Sequence, residues 1–134
     1  MLGHMRRVTW LILLGATLGA CGSSNSGGGA QTVTITDMFS PTVVSTIPGG
    51  SVIVQNNSTQ EHTFTSEAAQ NDYTPATVGN VSFDQTVAAG AKVTIPIPSN
   101  AVVGTQVWFY CKIHTTLMNQ GYVQVVAPSG GGGY

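Results

Sequence analysis

Charged residues are scarce in this chain: four Lys and Arg together and five Asp and Glu, 7% of 134 residues. Arg6 and Arg7 both lie near the N-terminus. Beyond Cys21 only Lys92 and Lys112 stand against Asp37, Glu61, Glu67, Asp72 and Asp84, a net charge of −3. Without a basic cluster, nucleic-acid binding through phosphate neutralisation is excluded. Long apolar runs are missing too. The longest, Val8 to Ala20, is shorter than the about 20 residues a membrane-spanning helix needs. No Gly-x-Ser-x-Gly, His-Glu-x-x-His or phosphate-binding Gly loop occurs, which removes the enzyme classes built on them. Histidine appears three times, at 4, 62 and 114, and cysteine twice, at 21 and 111.

The apolar run follows Arg6 and Arg7 and ends in small residues, the pattern of an export signal over residues 1–20. Its ending, Leu18-Gly19-Ala20-Cys21, resembles the bacterial lipobox, which implies cleavage before Cys21 and lipid on that residue. The alternative is a plain signal cut near Ala20, with Cys21 an ordinary thiol. Residues 21–31 then form a Gly- and Ser-rich tether, GSSNSGGGAQ after the Cys. Chain of this kind is a random coil, and ten residues of it reach about 17 Å on average. Residues 32–127 are expected to form one domain, and the Gly-rich tail 128–134 is assigned no structure. With Cys21 lipidated, Cys111 has no partner for an internal disulfide, and an unpaired thiol in an oxidising compartment is inert, a ligand or a nucleophile. A Cys21–Cys111 disulfide is the competing possibility, since the tether permits it.

Within the domain, short β-rich runs recur between Gly, Pro and Asn punctuation, and none has helical periodicity. They are QTVTITD, PTVVSTI, SVIVQNN, HTFTSE, NVSFDQTVA, AKVTIPIP, GTQVWFYC and GYVQVVA. Alternation places Val33 with Ile35, His62 with Phe64, and Val93 with Ile95 and Ile97 on common faces. Seven or eight strands at this spacing predict an all-β, Greek-key antiparallel sandwich or barrel. AAQNDYTPATVG, Ala68 to Gly79, lacks a period and is expected to be a long connection with room for a helical turn.

Chemistry concentrates in FYCKIHTTLMNQG. Taken singly, a His, Cys or Met in a β-sandwich is ordinary core or loop. Here both remaining His, one Cys and a Met form a distant His62 plus Cys111-x2-His114-x3-Met118. A thiolate and two imidazoles with a long axial thioether make a blue-copper electron-transfer site. Zinc accepts His2Cys as well, but thioether is a poor zinc ligand. A Cys111–His nucleophile pair with Asn119 as orienter is disfavoured, because Cys and His three apart on a β-turn rarely meet as catalysis requires.

The residues carrying this pattern resemble the small bacterial cupredoxins, of the plastocyanin, azurin and amicyanin group. DMFSPTVVSTIPGGSVIVQNN is similar to the family's F-x-P, Gly turn and strand ending in Asn. EHTFTSE resembles its first-His segment, FDQTVAAGAKVTIPI its strand pair before the ligand loop, WFYCKIH its aromatic-Cys-x2-His signature, and GYVQV its closing strand. The resemblance implies one copper ion, with His62, Cys111 and His114 equatorial and Met118 axial. It implies single-electron transfer between redox proteins outside the cytoplasm, a cytochrome or a copper or haem oxidoreductase among them, by a monomer that is not an enzyme. Copper delivery or buffering in the cell envelope is the second reading, and a metal-free adhesion or assembly domain the third. Three departures stand out. The His-to-Met spacing matches neither amicyanin nor plastocyanin. Gly121 lies three residues beyond Met118, so Gln120 competes as axial ligand. Thr63 stands where many members carry an Asn that braces the ligand loop, a role its hydroxyl is expected to fill only in part. A binuclear copper centre would need a second Cys, and position 115 is Thr.

Overall fold

The computed structural model describes residues 29–130. The export signal, Cys21, most of the tether and the end of the tail lie outside them. Among these residues nine strands form, in the order β1 Gln31–Ile35, β2 Phe39–Ser40, β3 Val43–Thr46, β4 Ser51–Asn56, β5 His62–Glu67, β6 Asp84–Val87, β7 Lys92–Pro96, β8 Gln106–Tyr110 and β9 Tyr122–Val125. They make two sheets, β2-β1-β4-β7 and β3-β9-β8-β5-β6. Among the described residues there is no helix and no span long and apolar enough to cross a membrane as one.

The expected all-β sandwich is present, with two differences. Both sheets are mixed: β1 runs parallel to β4 and β3 parallel to β9, whereas the other pairs are antiparallel. The strand count is nine because Phe39–Ser40 forms a two-residue strand against Thr34 and Ile35. Two residues are too few for alternation to show. Residues 68–79 contain no helical turn. They fold over β5, joined to it by the bridge Glu67–Pro75, and the bridge Val78–Val81 closes the turn that follows.

Alternating apolar residues supply the core. Val33 and Ile35 of β1, Val52 and Val54 of β4, Val107 and Phe109 of β8, and Val123 and Val125 of β9 are buried between the sheets. Phe39, Phe64, Phe83 and Phe109 form an aromatic cluster, with Phe64 stacked on Phe83 at 4.8 Å and tilted against Phe109 at 4.6 Å. Phe39 meets both Phe64 and Phe109 edge-on. Offset and edge-on pairs of this kind add to the hydrophobic gain from burial. At the turn Pro48-Gly49-Gly50, Gly49 adopts φ +79°, which glycine tolerates without strain.

Strand direction gives the sandwich two distinct ends. β4, β6 and β8 run toward Asn56, Val87 and Tyr110, while β5 and β9 start beside them at His62 and Tyr122. All four candidate ligands lie at this end. β1, parallel to β4, also runs toward it, so Gln31 begins at the opposite end. β9 runs away from it and finishes there as well.

Candidate metal centre

The loop after β8 is shaped by its own backbone. The Cys111 N–H donates to the Met118 carbonyl at 2.8 Å, His114 N–H to the Cys111 carbonyl at 3.3 Å, and Met118 N–H to the His114 carbonyl at 2.9 Å. Ring-like closure of this sort turns Cys111, His114 and Met118 inward from one short segment. Gly121 ends the loop at φ +149°, where a Cβ would stand 2.5 Å from the Phe109 ring and 2.6 Å from the Thr42 carbonyl. Only glycine fits that close approach.

His62 opens β5, which pairs with β8, and so meets the loop from a neighbouring strand. Its Nδ1 lies 3.7 Å from Cys111 Sγ and 3.2 Å from His114 Nδ1, and His114 Nδ1 is 3.8 Å from Sγ. Cys111 is fully buried, His62 nearly so, and His114 half-buried. These three form the group among the described residues that can hold a metal ion. A point equidistant from the three donor atoms is about 2.1 Å from each, a length set by their separations. Metal–nitrogen and metal–thiolate bonds run at about 2.0–2.3 Å. A small metal ion therefore fits between them without rearrangement.

Met118 is 2% exposed beside this group, and with His62 and His114 it lines one cavity. Gln120, the competing axial ligand, is exposed. Burial therefore favours Met118.

Polar contacts hold the donors in place. The Thr63 N–H donates to Cys111 Sγ at 3.3 Å. The Thr63 hydroxyl accepts the Lys112 N–H at 2.8 Å. That hydroxyl contacts Thr65 Oγ1 at 3.1 Å, which is 3.0 Å from Asp84 Oδ1, and Asp84 Oδ2 accepts from Lys112 Nζ at 2.7 Å. The Asp84 carboxylate accepts on both sides of this circuit, from Thr65 Oγ1 and from Lys112 Nζ. The Thr63 hydroxyl, expected to brace the loop in part, joins it through the Lys112 N–H and belongs to a closed ring of bonds. Hydrogen bonding from Lys112 leads the causes that hold Asp84 below its ordinary value. Thr65 and the Lys112 charge add to it, and partial burial opposes them. His62 is shifted down by burial first and by His114 second, so the neutral, ligating ring is favoured.

Sequence reasoning missed Ser58 and the packing over β5. Ser58 Oγ lies 3.0 Å from His62 Nε2. Its signal was position, four residues ahead of the first His and two after the strand-ending Asn56. On the covered side of β5, the buried Glu67 carboxylate accepts the N–H groups of Asn71 and Tyr73. Tyr110 donates to the Tyr73 carbonyl at 3.0 Å, and Asn119 donates to Asn71 Oδ1 and Tyr73 Oη, both at 2.7 Å. The ligand loop is thus joined to residues 71–73.

No model of a protein family matches the chain, and no curated protein matches it in sequence. Solved structures do. A purple cupredoxin from Nitrosopumilus maritimus superposes at a TM-score of 0.55 and 17% identity, covering 72% of this chain and 99% of its own. An oxidised amicyanin variant matches at 0.54 and 14%, covering 75% and 86%. A Cu-containing nitrite reductase from Thermus scotoductus SA-01 matches at 0.54 and 19% over 75% of this chain, but this chain spans only 23% of that one. The fold is that of the cupredoxins.

Proposed function

We propose that this protein is a mononuclear blue-copper electron carrier that works outside the cytoplasm. The observation that carries the reading is the triangle of one cysteine sulfur and two imidazole nitrogens, sized for an ion, with a buried thioether beside it. His62, Cys111 and His114 would be the equatorial ligands and Met118 the axial one. Copper held there supplies a one-electron couple. Anchoring His62 in a strand and bonding the loop to Thr63 keeps the donors fixed, so little rearranges as charge changes. The copper of the structural neighbours supports the choice of metal.

Half-buried His114 is the exit for the electron. Ile113 and Leu117, 52% and 65% exposed, flank it as an apolar docking patch. Such a patch suits brief encounters with a redox protein, whose interfaces lie at the small end of the range. Export and a lipid on Cys21 are part of this reading, on the strength of the N-terminal sequence.

Titration with Cu(II), followed by visible and EPR spectra, tests it. One equivalent should raise an intense thiolate-to-copper band with narrow hyperfine splitting. Cys111→Ser should abolish that band, Met118→Leu should alter it, and Gln120→Ala should leave it unchanged. A colourless protein with an alkylatable Cys111 would sink the reading.

Copper delivery is the second reading. It is favoured by a cavity of about 250 Å³ that reaches His62, His114 and Met118 between Thr36, Asp37, Ser58, Thr59 and Gln60. A delivery protein would pass Cu(I) to an acceptor on contact, whereas a carrier would retain it through repeated oxidation and reduction.

A further inference from the structure

Three side chains in a row decide which nitrogen of His62 carries the proton. Asn56 is fully buried at the end of β4. Its amide nitrogen lies 2.7 Å from the Gln60 carbonyl and 2.9 Å from the Val87 carbonyl. Carbonyl oxygens only accept, so the NH2 group must face them and Oδ1 must face the other way. Oδ1 accepts the Ser58 N–H at 2.9 Å and stands 2.8 Å from Ser58 Oγ.

Ser58 therefore has one hydroxyl proton and two carbonyl oxygens that claim it, Asn56 Oδ1 and, at 3.0 Å, the Gln60 carbonyl. Neither oxygen can donate in return. With its proton committed, Ser58 Oγ can only accept from His62 Nε2, 3.0 Å away. A neutral imidazole has one N–H and one bare nitrogen. The N–H is then at Nε2, and bare Nδ1 faces Cys111 Sγ and His114 Nδ1.

We propose that Ser58, oriented by Asn56, is the positioning residue that fixes the His62 tautomer and ring plane so that Nδ1 is presented to the ion. This rests on the copper reading for its purpose, but the tautomer is a property of the chain itself. Partners of this kind, which hold a ligating imidazole by its other nitrogen, are worth about 10- to 100-fold in metal affinity.

The experiment uses the full chain labelled with 15N-histidine, first metal-free and then with Cu(I). Two-bond proton–nitrogen correlations distinguish protonated from bare ring nitrogens. The metal-free protein should show His62 as a single Nε2–H tautomer. Ser58→Ala should give mixed tautomers, and its Cu(I) affinity should fall about 10- to 100-fold. Ser58→Thr keeps the hydroxyl and should restore both readouts, which a merely structural role for the loop does not demand. A single Nε2–H tautomer persisting in Ser58→Ala overturns the inference and leaves the copper reading standing. The expected tautomer response in a wild-type chain that takes up no Cu(I) upholds the positioning and overturns the copper reading instead.

Discussion

At the scale of single residues, Gly121 shows how tightly the site depends on the core beneath it. The Phe109 ring and the Thr42 carbonyl occupy the space a side chain would need. Gly121→Ala should therefore lower stability by about 1–3 kcal/mol, the usual range for overpacking. Urea denaturation of the metal-free protein measures it, and an unchanged midpoint would refute the crowding. The grouping of His62, Cys111 and His114 was legible in the sequence because His and Cys are rare here and their spacing carries chemistry. Ser58 was not, since serine is common and its role depends on where Asn56 points its amide. The ring around Thr63 was hidden for a related reason. Its weight comes from Thr65 and Asp84, and Asp84 reaches β5 only through pairing in the sheet.

At the scale of elements, the ring joining Lys112, Thr63, Thr65 and Asp84 ties β5, β6 and the ligand loop together. Asp84 has a lowered pKa in the folded protein, so its contribution is complete above its ordinary value of 3.8 and fades as pH falls through the lowered one. Lys112 and Asp84 are both about two-fifths exposed, and solvent screening limits the pair to less than about 1 kcal/mol. Asp84→Asn should thus be slightly less stable than wild type at pH 7, with the gap closing below pH 3.8. Thermal melts across that interval decide the matter; a gap that stays constant would show that the carboxylate charge is not its source. Strands such as β1, β3, β4 and β9 follow from alternation in the sequence, because one face of each lies on the core. The parallel pairings of β1 with β4 and β3 with β9 do not, since alternation records which way a side chain faces and not which strand lies alongside. The cover over β5 was equally hidden. A strand buried on both faces, with Thr63, Thr65, Ser66 and Glu67 all inside, breaks the polar-out rule. It does so because residues 68–79 satisfy Ser66 and Glu67, while the ring through Lys112 and Asp84 satisfies Thr63 and Thr65.

At the scale of the whole molecule, the low charge leaves docking to shape and apolar contact rather than to long-range attraction. Leu117→Lys should slow electron exchange with a redox partner by several-fold, in stopped-flow mixing, while the copper spectrum stays as it is. A changed spectrum would mean that Leu117 shapes the metal centre rather than the contact. Strand direction adds a consequence for life at a bilayer. Because β1 begins at the end remote from the ligands and β9 finishes there, a lipid on Cys21 would moor the sandwich by its heel, with His114 at the crown. A fluorophore at Val103, exposed in the turn beside the end of β9, should be quenched by lipid-borne spin labels, and one at Leu117 should escape. Equal quenching would mean that the protein lies on its side. Moored in this way, it would face outward, open to partners arriving from the aqueous space, and a neighbour in the same bilayer would have to rise to meet it.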